Sequence, residues 1–492
     1  MPCGPRTGIG SLQVTRHKDS CHPSKWYTQR HPIHMCLPPN LLHAVSAPNG
    51  GRVVLVLGAG CSAEDPTGLP LSRQCSLEAH RRLLADGLLQ EGQCPEPGDL
   101  SQLADTVKHV TGHQAELVAR LPRNDFLVAQ ANKGYLIAAA LLREHAILAV
   151  MTLNFDLAMS SALARVGGAD VAVVAGPEDH ANLGVINLIY LHRNAHAVAE
   201  SWILTTAALA EEWKGAWEEV IAMRVLASSV TVFAGLGTPA GVLVETTKRI
   251  REAKAQGEFY VVGPLDPDQS TFLAAMHLSR DNYLQMGWGQ FMTALANRVS
   301  EEHRARLDQT CTRLIHDEGW HAEDVAEICR RFAQLGLLDT GAVRARWLLN
   351  KGEYEPARSV DPALVADLVL AVALVERSTG KRAVFGNDGI VEFRDGQQIA
   401  GAVVLASGRG TKRWFRLEAD LRGAESSWNH RDPRPRFAIV AATSSPPGAA
   451  STPDDLVSDF PEDDILGNSG HVKMVHVDSL RANEALASNL VS

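Results

Sequence analysis

Four short stretches of this chain carry residue types suited to holding a nucleotide. The first is Arg52 to Ser62, RVVLVLGAGCS, an aliphatic run that ends in Gly58, Ala59 and Gly60. With no Cβ at Gly58 and Gly60, the backbone can turn tightly and approach a ligand, leaving N–H groups to face a pyrophosphate. The same pattern also serves a strand that needs only a sharp exit. The others are Thr152-Leu153-Asn154-Phe155-Asp156, Leu191-His192 and Gly235-Leu236-Gly237-Thr238-Pro239. An imidazole titrates near neutral pH, so His192 is a candidate base; its plain alternative is a core histidine bonded to a backbone carbonyl. The Asn154 amide donates and accepts, which suits it to sugar hydroxyls or an attacking water; its alternative is a turn-forming residue at a strand exit.

The elements that must position these groups follow from the apolar pattern. Strands are expected at Val53–Leu57, Ile147–Thr152, Val171–Ala175, Val185–Leu191, Ser229–Ala234 and Glu258–Gly263, each apolar on both faces and separated by helix-length segments. This alternation predicts an α/β fold with a Rossmann-like, doubly wound parallel sheet across residues 51–300. In such sheets ligands bind outside the carboxyl ends of the strands, where all four stretches lie. The excursion from Leu71 to Glu144 is too long for one crossover, so residues 71–145 are read as a helical insertion beside the cleft. Residues 301–378 read as a helical segment, and residues 379–492 as a smaller α+β module of short alternating runs, with a flexible Ser/Pro-rich and acidic loop at 443–470. Residues 1–50, rich in Pro, His, Gly and Cys without a period, read as a disordered leader. Within it Cys3, Cys21 and Cys36 stand among histidines, but their spacing matches no zinc pattern.

Composition narrows the function classes. A length of 492 residues suggests roughly three domains. A formal charge of −9 disfavours nucleic acid as the partner of the whole chain. The basic cluster Arg409, Lys412, Arg413 and Arg416, followed by Arg431, Arg434 and Arg436, could read nucleic acid or a phosphorylated partner, but is more simply a solvated strand face. No apolar run is long enough to span a bilayer, no export signal is evident, and eight cysteines without a CxxC pair suggest a reducing compartment. The expectation is a cytoplasmic chain without a membrane segment.

The motifs resemble those of the sirtuin-like NAD-consuming domains. GAGCS followed by Gly68-Leu69-Pro70 is similar to the family's GAGxS and GIP turn, TLNFD to its TQNID or TTNYD segment, Leu191-His192 to its histidine motif, and Gly237-Thr238 to its later ribose loop. The resemblance covers about half the chain. It implies NAD as substrate, Asn154 and His192 as the catalytic pair, and a binding surface made by Gly58, Ala59, Gly60, Ser62, Thr152, Asp156, Gly235, Gly237 and Thr238. Asp156 would meet the nicotinamide amide or a ribose, Ser62 a phosphate and Thr238 a ribose; each could instead cap a helix. Cys61 reads as a packing residue, His196 as an exposed loop residue, and Trp213, Trp217 and Trp288 as core anchors.

There are departures from the family pattern. Residues 193–234 contain no cysteine, so the structural zinc of the deacetylases is not expected. Leu71-Ser72-Arg73 replaces the aspartate-phenylalanine-arginine after the GIP turn, Leu153 stands in place of glutamine, and Arg193 in place of the glycine after the histidine. These features resemble the zinc-free branch found in bacterial anti-phage defence, which implies NAD glycohydrolysis, with nicotinamide released and ADP-ribose or a cyclic form left. Control by a homo-oligomer or partner protein through residues 301–492 is then expected. A non-catalytic NAD or ADP-ribose sensor is the alternative, and an NAD-dependent protein deacylase a more distant one.

Overall fold

The computed structural model describes residues 37–46, 53–143, 146–166, 171–208 (apart from 177 and 185), 225–226, 230–237, 244, 248, 257–333 (apart from 318 and 320), 362–385, 390–406, 436–441 and 472–491 (apart from 484). Seven strands, β1 (Val53–Leu57), β2 (Ile147–Thr152), β3 (Ala172–Val174), β4 (Asn187–Tyr190), β5 (Val230–Ala234), β6 (Glu258–Gly263) and β7 (Tyr283–Gln285), form one sheet in the order β3-β4-β2-β1-β5-β6-β7. Every neighbouring pair is parallel. The doubly wound α/β reading therefore holds, with β7 added at an edge; at three residues it is too short to carry a period of its own.

The centre of the sheet explains its sequence. All five residues of β1 are buried, because helices cover both faces and neither face tolerates a polar residue. At the edge, Val173 of β3 is 44% exposed. From β1 the chain moves to β2, β4 and β3 on one side and to β5, β6 and β7 on the other, so the order reverses beside β1. Connections leave in opposite directions there, and a crevice opens above the ends of β1 and β5.

Helix α1 (Pro39–Ser46) buries Leu41, Ala44 and Val45. This corrects the expectation of an unstructured leader through residue 50, since three apolar side chains at helical spacing gain burial against the domain. The helical insertion contains α2 (Ser72–Ala85), α3 (Leu100–Thr111), α4 (Ala115–Val118), α5 (Arg123–Leu127) and α6 (Lys133–Arg143). Asp99 caps α3 by accepting from the Ser101 and Gln102 amides, and Gly112 ends it in the left-handed conformation. Helix α7 (Ala158–Val166) follows β2, and the short α8 (Thr271–Ala275) follows β6.

Helix α9 (Trp288–Asp317) runs without a break through position 300, the boundary expected from the alternating pattern. The Glu64 carboxylate accepts from the Gly289 amide at 2.9 Å, so a negative charge stands at the positive end of this long helix. Helices α10 (Ala322–Ala333) and α11 (Pro362–Thr379) continue the helical segment. The last module is a mixed sheet of β8 (Arg382–Phe385), β9 (Ile390–Asp395), β10 (Gln398–Ala406), β11 (Arg436–Ala441) and β12 (Val472–His476), in sequential order. Its first three strands are antiparallel and its last two parallel. Helices α12 (Val477–Ala482) and α13 (Ala485–Val491) close the chain. The basic cluster from Arg409 to Arg434 and the loop at 443–470 lie outside the described residues. No helix among the described residues is long and apolar enough to cross a membrane.

Candidate functional site

A cleft of about 1840 Å³ opens at the carboxyl ends of the strands, and the exits of β1, β2, β4, β5 and β6 all contribute to its wall. Gly58, Ala59, Gly60, Ser62, Asn154, Asp156, His192, Gly235 and Gly237 line it, so most of the positions singled out in the sequence meet there. Thr152 does not line it. Its side chain is 3% exposed, and Oγ1 accepts from the Asn154 amide at 3.0 Å, which makes it a support for the asparagine. Thr238 lies outside the described residues.

The glycine turn works differently from the expectation. The Gly58 N–H donates to the Ala234 carbonyl and the Gly60 N–H to the Gly235 carbonyl, each at 2.9 Å. These two donors are thus spent on β5 and its exit and are not left for a diphosphate. The requirement for glycine is steric: a Cβ at Gly58 would stand 2.6 Å from the Gly235 oxygen, and one at Gly60 would stand 2.8 Å from the Gly235 Cα. The exits of β1 and β5 are packed backbone against backbone.

Asn154 leaves β2 immediately beside this turn. Its Nδ2 donates to the Gly58 carbonyl at 3.1 Å, and also reaches Ser62 Oγ at 3.1 Å and Tyr135 OH at 3.3 Å. A carbonyl can only accept, so the Gly58 contact fixes which end of the amide points inward. No described residue donates to Asn154 Oδ1, and with the side chain lining the cleft this oxygen is the acceptor offered to a ligand. Ser62 Oγ donates to Asp156 Oδ2 at 2.7 Å and lies 2.7 Å from Tyr135 OH. Each hydroxyl has one proton, so the chain closes as Tyr135 to Ser62 to Asp156. Burial pushes the Asp156 carboxyl above its usual range, opposed by the Ser62 hydrogen bond. The other Asp156 oxygen accepts from the Ala158 amide at 3.0 Å, so the residue caps the start of α7 while it lines the cleft.

His192 stands two residues past Tyr190, which is paired with Thr152 in the sheet, just as Asn154 stands two residues past Thr152. The imidazole is 8% exposed and its pKa is lowered to about 4. Burial is the main cause and the charge of Arg193 the next, opposed by a hydrogen bond with the Leu153 backbone. The ring is therefore neutral at physiological pH and able to accept a proton. Arg193 holds φ +74°, a left-handed conformation, at the place where the resembling motif has glycine.

Several residues of the site were not legible in the sequence. Tyr135, on α6, is 1% exposed and packs edge-on against Trp288 with ring centroids 5.9 Å apart. Asn132 donates to the Cys61 carbonyl at 2.8 Å and accepts from the Tyr135 amide at 3.1 Å. The one available signal was a lone phenol in the aliphatic run GYLIAAALL, since a buried tyrosine needs a partner for its hydroxyl. Trp288 is the buried core anchor expected of it, His196 is exposed, and Cys61 is fully buried with its thiol pushed well up by burial. Trp213 and Trp217 lie outside the described residues. No cluster of three or more metal-ligating side chains occurs among the described residues.

The fold defines an α/β protein of the doubly wound parallel class with a cleft at its switch point. No family model matches the chain, and no curated protein matches its sequence. Solved structures that are similar include a Sir2 homologue in complex with NAD, at 17% identity and TM-score 0.31, covering 55% of this chain and 97% of that one. Another, described under the structural basis for the mechanism and regulation of Sir2 enzymes, is 12% identical with TM-score 0.28, covering 53% of this chain and 96% of that one. A third, described under the structural basis for sirtuin substrate affinity, is 17% identical with TM-score 0.28, covering 54% and 95%.

Proposed function

We propose that this chain is an NAD glycohydrolase. Water attacks C1′ of the nicotinamide ribose, the C–N glycosidic bond breaks, its electron pair leaves with the nicotinamide nitrogen, and the water proton passes to a base or to solvent. Nicotinamide is a cationic leaving group that becomes neutral on departure, so the step needs orientation and little acid help. Asn154 Oδ1 accepts from a ribose hydroxyl or the water, and the neutral His192 ring takes a proton. The observation that carries this reading is that Asn154 and His192 stand at equal depth past β2 and β4, in one cleft with the Gly58–Gly60 turn. The cleft exceeds the roughly 300–1,000 Å³ of ordinary small-molecule sites, so its size accommodates a dinucleotide.

Unrestrained hydrolysis would exhaust the NAD of its own cell. The activity therefore belongs to a cytoplasmic effector, such as a zinc-free anti-phage defence protein, that is held silent until assembly or a partner acts through residues 301–492. The test is nicotinamide release from NAD by the full chain and by His192→Ala and Asn154→Ala variants under several assembly conditions. Equal background release by all three removes the proposal.

One observation favours a second reading, a sensor that binds NAD or ADP-ribose without turnover. A histidine whose pKa is about 4 is a weak base. Tight NAD binding in calorimetry with no nicotinamide released under any condition would select the sensor. Acyl release from lysine peptides only in the presence of NAD would select a deacylase.

A further inference from the structure

The chain that follows His192 is held from outside the sheet. From Leu191 to Val198 it has only turns and bends of its own. Five of its backbone groups between Ala195 and Thr206 bond instead to side chains of the helical insertion. Arg123 donates from Nε to the Ala195 carbonyl at 2.8 Å and from Nη2 to the Ala197 carbonyl at 3.0 Å. The Gln114 Nε2 donates to the Ala199 and Trp202 carbonyls, both at 2.8 Å. Asp105 Oδ1 accepts from the Thr206 amide at 3.1 Å. On the inner side the Ala195 amide donates to the Phe155 carbonyl at 2.8 Å, and the Trp202 ring stacks on Phe155 at 4.1 Å. Phe155 in turn lies 6.4 Å from the His192 ring.

We propose that Arg123 and Gln114 are positioning residues: the helical insertion clamps the loop after His192 and so sets where the imidazole sits in the cleft. The proposal rests on the reading of His192 as a working group of the site. Its physical basis is the planar guanidinium fork, which bonds two carbonyls two residues apart and thereby fixes the shape of the turn between them. Gln114, itself 4% exposed, pins the next bend with one amide nitrogen. Removing either donor leaves buried or half-buried carbonyls unmatched, admits water beside the loop and lets the ring move. The clamp also accounts for the length of the insertion, which must reach from the end of β1 across to the exit of β4.

The test uses the full chain with Arg123→Gln, Arg123→Lys and Gln114→Leu, and with the exposed Arg81→Gln as a control. Imidazole C2–H resonances, assigned against His192→Gln, give the His192 titration midpoint without any need for turnover. Nicotinamide release gives kcat and KM, and calorimetry gives NAD affinity. The clamp predicts that Arg123→Gln and Gln114→Leu melt near the wild type, raise the His192 midpoint by at least one pH unit, and lower kcat at least tenfold with KM changed less than threefold. Arg123→Lys falls between, and Arg81→Gln matches the wild type. Folded Arg123→Gln and Gln114→Leu with an unmoved midpoint and kcat would overturn the clamp, as would a change in KM alone. If the wild type releases no nicotinamide under any assembly condition, the glycohydrolase reading fails and the midpoint alone decides the clamp. If Arg123→Gln does not fold, Arg123→Lys and Gln114→Leu carry the comparison.

Discussion

A Cβ on Gly235 would stand 2.4 Å from the amide nitrogen of Cys61, so the exits of β5 and β1 interlock with no space for a side chain between them. Gly235 also holds φ +68°, which other residues adopt at a cost. Two residues on, Gly237 has nothing within 4 Å of a built Cβ. Gly235→Ala is therefore expected to destabilise the protein by about 2–4 kcal/mol and Gly237→Ala by less than about 0.5 kcal/mol. Urea unfolding of the two variants separates a structural glycine from one placed for access to the cleft.

Asn154→Asp changes one atom of the side chain. The new carboxylate cannot donate to the Gly58 carbonyl, and it meets Ser62 and the buried Asp156 with a second negative charge. The expected loss is about 1–3 kcal/mol of stability. Nicotinamide release should fall on the order of 100-fold or more, since an oriented group at the reacting centre is lost. Full activity of Asn154→Asp would show that the anchored Nδ2 is not needed, and full activity of Asn154→Ala would remove the side chain from the mechanism.

Tyr135→Phe keeps the ring against Trp288 and removes the hydroxyl that serves Ser62 and Asn154. The cost should be about 1 kcal/mol, the net value of a typical hydrogen bond. Trp288→Ala empties the space beside Tyr135 and should cost about 3–5 kcal/mol. Thermal melts of both, with NAD affinity measured beside them, show whether the packing of α9 bears on the ligand site.

His192 gives the stability a pH dependence of defined sign. Its folded pKa of about 4 lies below the ordinary 6.5, so between these values the unfolded chain binds more protons than the folded one. Stability is expected to fall as pH drops from about 6.5 to about 4, by at most roughly 3 kcal/mol, and to show no further effect of this group below that. A His192→Gln variant should be less sensitive over the same range. Denaturant midpoints at pH 7, 5.5 and 4.5 measure the difference, and parallel curves for the two proteins would contradict the burial of the ring.

Six of the seven strands of the main sheet are legible in residue order, because a buried parallel strand must be apolar on both faces and polar or glycine residues mark where most of them end. The same logic places Gly58, Asn154, His192 and Gly235 at one end of the sheet. Only the folded structure showed that the Gly58 and Gly60 amides are spent on β5 and its exit, that Thr152 supports Asn154, that Tyr135 closes the chain to Asp156, and that Arg123 and Gln114 hold the loop after His192. Local sequence fixes which face of an element is apolar and where it stops. Partners 70 to 90 positions apart, such as Tyr135 for Ser62 or Gln114 for Trp202, are chosen by how helices cross the sheet, and no local period records that crossing.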